Sequence, residues 1–257
     1  MVGPHDAPVR VDVWLLPLTA ARTIDTFSDE DRDRGRRYLR EEDAVRASSS
    51  NYLLRHAAAL LLGTEPDEVR IQRFCATCAR VGDHGRPIVI DAHGRRDRTA
   101  HLSSSHGGGY IGVAASGSAE VGIDIEPCAN ALGDETDSLV LTGAEQEELS
   151  AVSAADKGIH RLATWVKKEA VLKATGIGLS VEPTSVQITG WQVQGCSPAL
   201  APFLANGVRV LSVPGVPGHI AAVAVLTSAE ADIVVHHMSY DGIQKRLVET
   251  GSAPGTG

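Results

Sequence analysis

Asp124 and Glu126 stand two positions apart in Val121-Gly122-Ile123-Asp124-Ile125-Glu126, a run whose alternating residue types read as a strand. Alternation sends both carboxylates to one face and Ile123 and Ile125 to the other. Side by side with no base between them, the two acids repel, and a hard divalent cation lying between them would relieve that repulsion. An exposed strand face in water is the structural alternative. A second run, Trp165-Val166-Lys167-Lys168-Glu169-Ala170-Val171-Leu172-Lys173, has helical periodicity and lines up Trp165, Glu169 and Lys173 on one stripe. An acid and a base then lie beside an aromatic ring. Here the alternative is a simple i,i+4 ion pair, worth only a few tenths of a kcal/mol.

The elements that would hold these residues follow from periodicity and punctuation. Val9 to Leu16 reads as a strand, and Ser28 caps a helix on which Arg32, Arg36 and Arg40 share a face among acidic neighbours. A helix from about Ala44 to Leu62 stops at Gly63. Strands are expected at Val69 to Phe74, Pro87 to Ile90, Tyr110 to Ala115 and Glu120 to Ile125. Helices follow over Gly143 to Val152 and Ala155 to Thr175, the second ended by Gly176. Further strands are expected at Ser185 to Thr189, Val208 to Val213, His219 to Leu226 and Ile233 to His236. The fold class is α+β, with two similar α+β halves packed side by side: residues 1–117, residues 118–240 carrying the acidic strand, and a disordered tail over 241–257.

At 257 residues the chain can bury a core without disulfides, and its net charge of −8 argues against a nucleic-acid partner, which would need a basic surface. Any polyanionic ligand must meet a local basic cluster. The apolar run Val11 to Leu18 is interrupted by Asp12 and Pro17 and is too short for a signal peptide or a membrane span, so no membrane partner is expected and the location is read as cytoplasmic. Of four cysteines, Cys75 and Cys78 are close in sequence, and all four read as free thiols in a reducing compartment. A zinc there would need two further ligands; His84 and His93 are available but not at a finger-like spacing.

The two motifs together resemble the larger, two-domain class of 4′-phosphopantetheinyl transferases, which carry a Gly-Ile-Asp-Ile-Glu strand followed some forty residues later by Trp-x-x-Lys-Glu-Ala-x-x-Lys. Here these stand at Gly122 to Glu126 and Trp165 to Lys173, with Gly176-Ile177-Gly178-Leu179 following as a Gly-x-Gly-Leu turn does in the family. Tyr52-Leu53-Leu54-Arg55 is similar to its early helix, His84-Gly85-Arg86-Pro87 to its Gly-Lys-Pro segment with arginine in place of lysine, and Leu102-Ser103-Ser104-Ser105-His106 to its Ser-His motif.

The resemblance implies transfer of the 4′-phosphopantetheine arm of coenzyme A to a serine of an apo acyl or peptidyl carrier protein, releasing adenosine 3′,5′-bisphosphate. It implies Mg2+, with Mn2+ as the alternative ion, on Asp124, Glu126 and Glu169. Glu169, Lys168 and Lys173 would act in catalysis, and Arg34, Arg55, Arg86, Ser105, His106, Lys168 and Lys173 would bind coenzyme A. A monomer is the simplest assembly. Structural alternatives stand beside these roles: Arg55 as a surface helix residue, Arg86 as a turn residue fixed by Pro87, and His106 as a loop residue beside Gly107 to Gly109. Glu145 matches an acidic position of the family, yet Thr142-x-x-Glu145 is also a capping box, and the structural role is favoured. Two other functions would use the same residues: a Mg2+-dependent phosphohydrolase acting on a nucleotide, and a non-catalytic module that binds coenzyme A or a carrier protein.

Overall fold

The computed structural model describes residues 7–21 and 27–238; the tail expected at 241–257 lies outside them. Its helices are α1 (Leu18–Ala21), α2 (Asp29–Gly35), α3 (Glu41–Leu62), α4 (Asp137–Val140), α5 (Gly143–Ser150), α6 (Lys157–Thr175) and α7 (Ala201–Leu204). The strands are β1 (Val9–Pro17), β2 (Arg70–Cys75), β3 (Arg80–Gly82), β4 (Arg86–Ile90), β5 (His101–Gly107), β6 (Tyr110–Ser116), β7 (Val121–Pro127), β8 (Val186–Thr189), β9 (Gln192–Cys196), β10 (Arg209–Ser212), β11 (His219–Val225) and β12 (Ala231–His237). One sheet has the order β12-β1-β6-β5, a second β10-β11-β7, and two smaller ones β3-β2-β4 and β8-β9. The architecture is α+β.

Side-chain alternation stacks these elements in four layers. Trp14 and Leu16 on β1, with Ile111, Val113 and Ala115 on β6, pack against Tyr52, Leu53, Leu54, Ala57 and Ala58 of α3. Their neighbours Val11, Val13, Leu15 and Ala114 point the other way, into a core shared with Ile123 and Ile125 of β7 and Val223 and Val225 of β11. On the outer face of that second sheet, Ala222 and Ala224 meet Val166, Ala170, Val171 and Ala174 of α6. The order is therefore helix, sheet, sheet, helix. Because β1 is buried on both faces, its sequence is a nearly continuous apolar run rather than an alternating one.

Both long helices end where their glycines stand: Gly63 and Gly176 adopt φ of +65° and +75°, left-handed caps that a side chain would disfavour. The capping box at Ser28 is present, but its helix ends at Gly35, where a Cβ would come within 2.3 Å of Ser48 Oγ and 2.9 Å of the Ala44 carbonyl. The chain turns at this close approach to α3, so Arg40 becomes the N-cap of α3 and does not share a face with Arg32 and Arg36.

Two further features differ from the sequence expectation. Leu102 to His106 belong to a strand, β5, where no strand was expected and where the alternative for His106 was a loop; serine hydroxyls there find partners on β7, the Ile123 N–H donating to Ser103 Oγ at 3.1 Å. The strand expected near Ile233 in the second half pairs in parallel with β1 of the first, from Val9 opposite Ala231 to Leu15 opposite His237. Asp12 of β1 secures that pairing through His236 of β12 at 2.7 Å, while Arg10 on its own strand holds the same carboxylate at 2.7 Å.

Candidate active site

The acidic strand and the signature helix meet because Gly122 has no side chain. A Cβ there would lie 2.0 Å from the Ala170 carbonyl oxygen and 2.4 Å from the Ala174 amide nitrogen, so α6 rests directly on the β7 backbone. With Ile123 and Ile125 committed to the inter-sheet core, Asp124 and Glu126 share the face of β7 that carries Gly122. From there they border a cleft of about 450 Å3 together with Glu169, Lys173 and Trp165 of α6 and Ser105 and His106 of β5. An adjoining cleft of about 470 Å3 continues past Glu169 and Lys173 to Arg86 and the Gly176–Gly178 turn.

Asp124 is buried, and its Oδ1 accepts from Ser105 Oγ at 2.8 Å and from Lys173 Nζ at 2.6 Å. Lys173 thus reaches across to the strand rather than forming the i,i+4 pair with Glu169. Two carboxylate oxygens, Asp124 Oδ2 and Glu169 Oε1, are buried and have no hydrogen-bond partner among the described residues. Such orphans are costly unless something else satisfies them. Burial pushes the Glu169 carboxyl up to about 7, with the nearby acids adding to the effect and Lys173 opposing it. Glu126 is likewise raised, first by burial and then by Asp124. Three converging carboxylates with unfilled lone pairs form an all-oxygen donor set, which suits a small hard cation such as Mg2+.

Without an ion the cluster should destabilise the fold. Because the folded Glu169 carboxyl keeps its proton up to about 7 while the unfolded chain releases it near 4.5, its contribution to stability falls as pH rises through that window and stays low above it. Glu169→Gln is therefore expected to stabilise the metal-free protein by about 2 kcal/mol at pH 8 and by little at pH 5. Urea unfolding in a chelator at both pH values checks this, and an equal change at the two would refute it.

Basic groups surround the carboxylates. Arg34 donates to the Asp83 carbonyl at 2.9 Å and lines the main cleft. His106 is exposed at the cleft rim, and its pKa is lowered by partial enclosure in the cleft, with Arg46 and Lys173 adding to the shift. Arg73 lines both clefts, and its pKa falls to about 10 through burial, which still leaves it a cation near neutral pH. Sequence reasoning missed Arg73; its one signal is register, since β2 and β4 pair so that Arg73 lies opposite Pro87, beside Gly85 and Arg86. Arg86 pairs with Glu120 and leans on Gly176 while facing the adjoining cleft.

Two expected ligand residues lie elsewhere. Arg55 is buried against Asp31, with Nη2 at 2.6 Å and Nε at 3.1 Å, while Asn51 donates to the same carboxylate. It clasps α2 onto α3 and lines neither of the two clefts above; its guanidinium is taken up by Asp31, the Pro66 carbonyl and Asp67. Lys168 has no exposed surface; its ammonium donates to Glu145 Oε2 at 2.6 Å and to the Val140 carbonyl at 2.7 Å. One position before Glu169, it points about 100° round α6 from it, away from the cleft and toward Val140 and Glu145. Glu145 caps α5 at Thr142 and accepts from the Ile188 N–H at 2.7 Å, so all its interactions hold α5, α6 and β8 together.

Comparison with known proteins points to one family. The 4′-phosphopantetheinyl transferase superfamily matches residues 120–214, the segment that carries β7 and α6. The chain is similar to the L-aminoadipate-semialdehyde dehydrogenase-phosphopantetheinyl transferase of Schizosaccharomyces pombe, 31% identical over 69% of this chain and 70% of that protein. It is also similar to a 4′-phosphopantetheinyl transferase of Bacillus subtilis, 28% identical over 67% of this chain and 71% of the relative. The 4′-phosphopantetheinyl transferase Sfp of Bacillus subtilis strain 168 is 25% identical over 65% and 68%. The chain belongs to the 4′-phosphopantetheinyl transferase superfamily. Its activity is that of an enzyme, phosphopantetheine transfer. Among the described residues no helix is long and apolar enough to cross a membrane.

Proposed function

We propose that the chain, acting as a cytoplasmic monomer, moves the phosphopantetheine arm of coenzyme A to a serine of an apo acyl or peptidyl carrier domain. The observation that carries this reading is the convergence of three carboxylates, two with orphaned oxygens, and a ring of cations on one cleft. The four unpaired cysteines suit a reducing compartment.

Asp124, Glu126 and Glu169 would hold Mg2+, which when bound supplies positive charge to the pyrophosphate. Arg34, Arg73, Arg86 and His106 bind and orient the phosphates, the arginines through planar forks that match phosphate oxygens. The carrier serine oxygen attacks the β-phosphorus; the bond to the oxygen bridging the two phosphates breaks, and adenosine 3′,5′-bisphosphate leaves. The serine proton passes to Glu169, the carboxylate of α6 that borders the cleft. Lys173, held in place by Asp124 and Ser105, faces the charge that spreads over the phosphoryl oxygens.

Lys173→Gln keeps the side-chain length and removes that charge. It should slow single-turnover transfer about a hundredfold, near 3 kcal/mol, with coenzyme A and carrier both saturating. A change of only a few fold would make Lys173 a structural partner of Asp124. The reading as a whole is tested by intact mass spectrometry of an apo carrier protein after incubation with the enzyme, coenzyme A and Mg2+. Gain of one phosphopantetheine mass is expected. Coenzyme A consumed with no gain, or without carrier present, would favour the phosphohydrolase, and no change in either would favour a binding module.

A further inference from the structure

The hairpin of β2 and β3 carries a cluster that phosphopantetheine transfer does not use. Cys75 ends β2, Cys78 lies in the turn and His84 follows β3, and their ligand atoms all lie within 4.8 Å of one another. Cys78 Sγ is 3.5 Å from His84 Nε2. With metal–sulfur bonds of about 2.3 Å and metal–nitrogen bonds of about 2.0 Å, a tetrahedral ion spaces its ligand atoms about 3.3 to 3.8 Å apart, so one ion fits this group with little adjustment. The Cys78 N–H already points at Cys75 Sγ from 3.4 Å, a donor placed to steady a thiolate. Ala79, directly after the second cysteine, takes φ of +51°, and among the described residues no other non-glycine residue enters that region. Left-handed geometry at such a residue costs roughly 1 kcal/mol, and here it brings the chain back so that Arg80 pairs with Cys75.

We propose that Cys75, Cys78 and His84 bind one Zn2+, with the fourth position taken by water or a small exchangeable ligand. Two thiolates and an imidazole select zinc over Mg2+, whereas the all-oxygen carboxylate site suits Mg2+, so the two sites differ in donor chemistry. Binding releases the thiol protons and ties the turn to the segment entering β4.

The placement of the hairpin says what the ion does. Thr77, between the two cysteines, meets Ser180 Oγ at 2.6 Å, bridging to the turn that follows α6. Cys75 and His84 line the cleft beyond Lys173 and Glu169, next to Gly85 and Arg86. Zinc therefore fixes one wall of the ligand cleft. It is a positioning element: losing it should weaken coenzyme A binding and leave the chemical step largely intact.

The test uses untagged, reduced full-length protein grown with zinc and dialysed against metal-free buffer. Elemental analysis should find one zinc per chain. After zinc is stripped, added Co2+ should give the near-ultraviolet thiolate-to-cobalt band with the intensity of two thiolates. Cys78→Ser should lose both signals and Cys128→Ser should keep them. Stripping zinc should raise KM for coenzyme A severalfold and change kcat less than twofold. Reduced protein that takes up neither metal overturns the site, even if Cys75 and Cys78 form a disulfide on oxidation. Zinc retained by Cys78→Ser would also overturn it. Because metal content is read without any carrier protein, this result stands apart from the assay of the transferase reading.

Discussion

Asp124→Asn should lower single-turnover transfer roughly a thousandfold, about 4 kcal/mol, while the melting temperature moves by only a few degrees. The amide preserves shape and can still accept from Ser105, so the change isolates the charge. That charge does two things: it balances Lys173 at 2.6 Å, and it offers the orphaned Oδ2 to a cation. Lys173 is partly exposed and can rehydrate once unpaired, which is why the fold should tolerate the loss. Mg2+ affinity, followed by calorimetry, should fall in parallel. If the variant transfers within tenfold of the parent at saturating Mg2+, Asp124 is not a ligand.

The second large effect is on stability. Lys168→Met should cost about 3–5 kcal/mol in urea unfolding, because Glu145 is then left as a buried anion without its cation. Adding Glu145→Gln to the same chain removes the stranded charge and should return at least half of the loss. A single variant that loses less than 1 kcal/mol would contradict the structural role of the pair. Activity measured well below the melting temperature should survive, since the Lys168 ammonium faces Val140 and Glu145 rather than the cleft.

How far the sequence went can be judged from these residues. The acidic strand and the signature helix were legible because each is defined by local period: two for Asp124 and Glu126, nearly four for Trp165, Glu169 and Lys173. Helix ends were legible where a glycine supplies a left-handed turn, as at Gly63 and Gly176. β5 was obscured because its inward residues are serines, whose partners sit on another strand some twenty positions away. The direction of Lys168 was hidden for a different reason: adjacent residues on a helix diverge by about 100°, and a motif names residues without saying which way each one faces. Arg55 looked like a phosphate ligand because nothing local reveals that Asp31, on the preceding helix, already occupies it. Arg73 carries no local signal, since only sheet register brings it to the cleft.

The parallel pairing of β12 with β1 has a consequence for synthesis. As the chain leaves the ribosome, β6 and β5 can cover one side of β1, and α3 can cover one face. The other side of β1 must wait for residues 231–237, so an open row of amides and carbonyls persists through most of translation. Closing that edge brings together segments more than two hundred residues apart, contacts of the kind that make folding slow. Until then an exposed apolar strand is available to a second nascent chain, and polar Arg10 and Asp12 at its start are a guard against such pairing. The first half therefore cannot be finished before the second has been made, and shortening the chain ahead of β12 would cost yield before it cost catalysis.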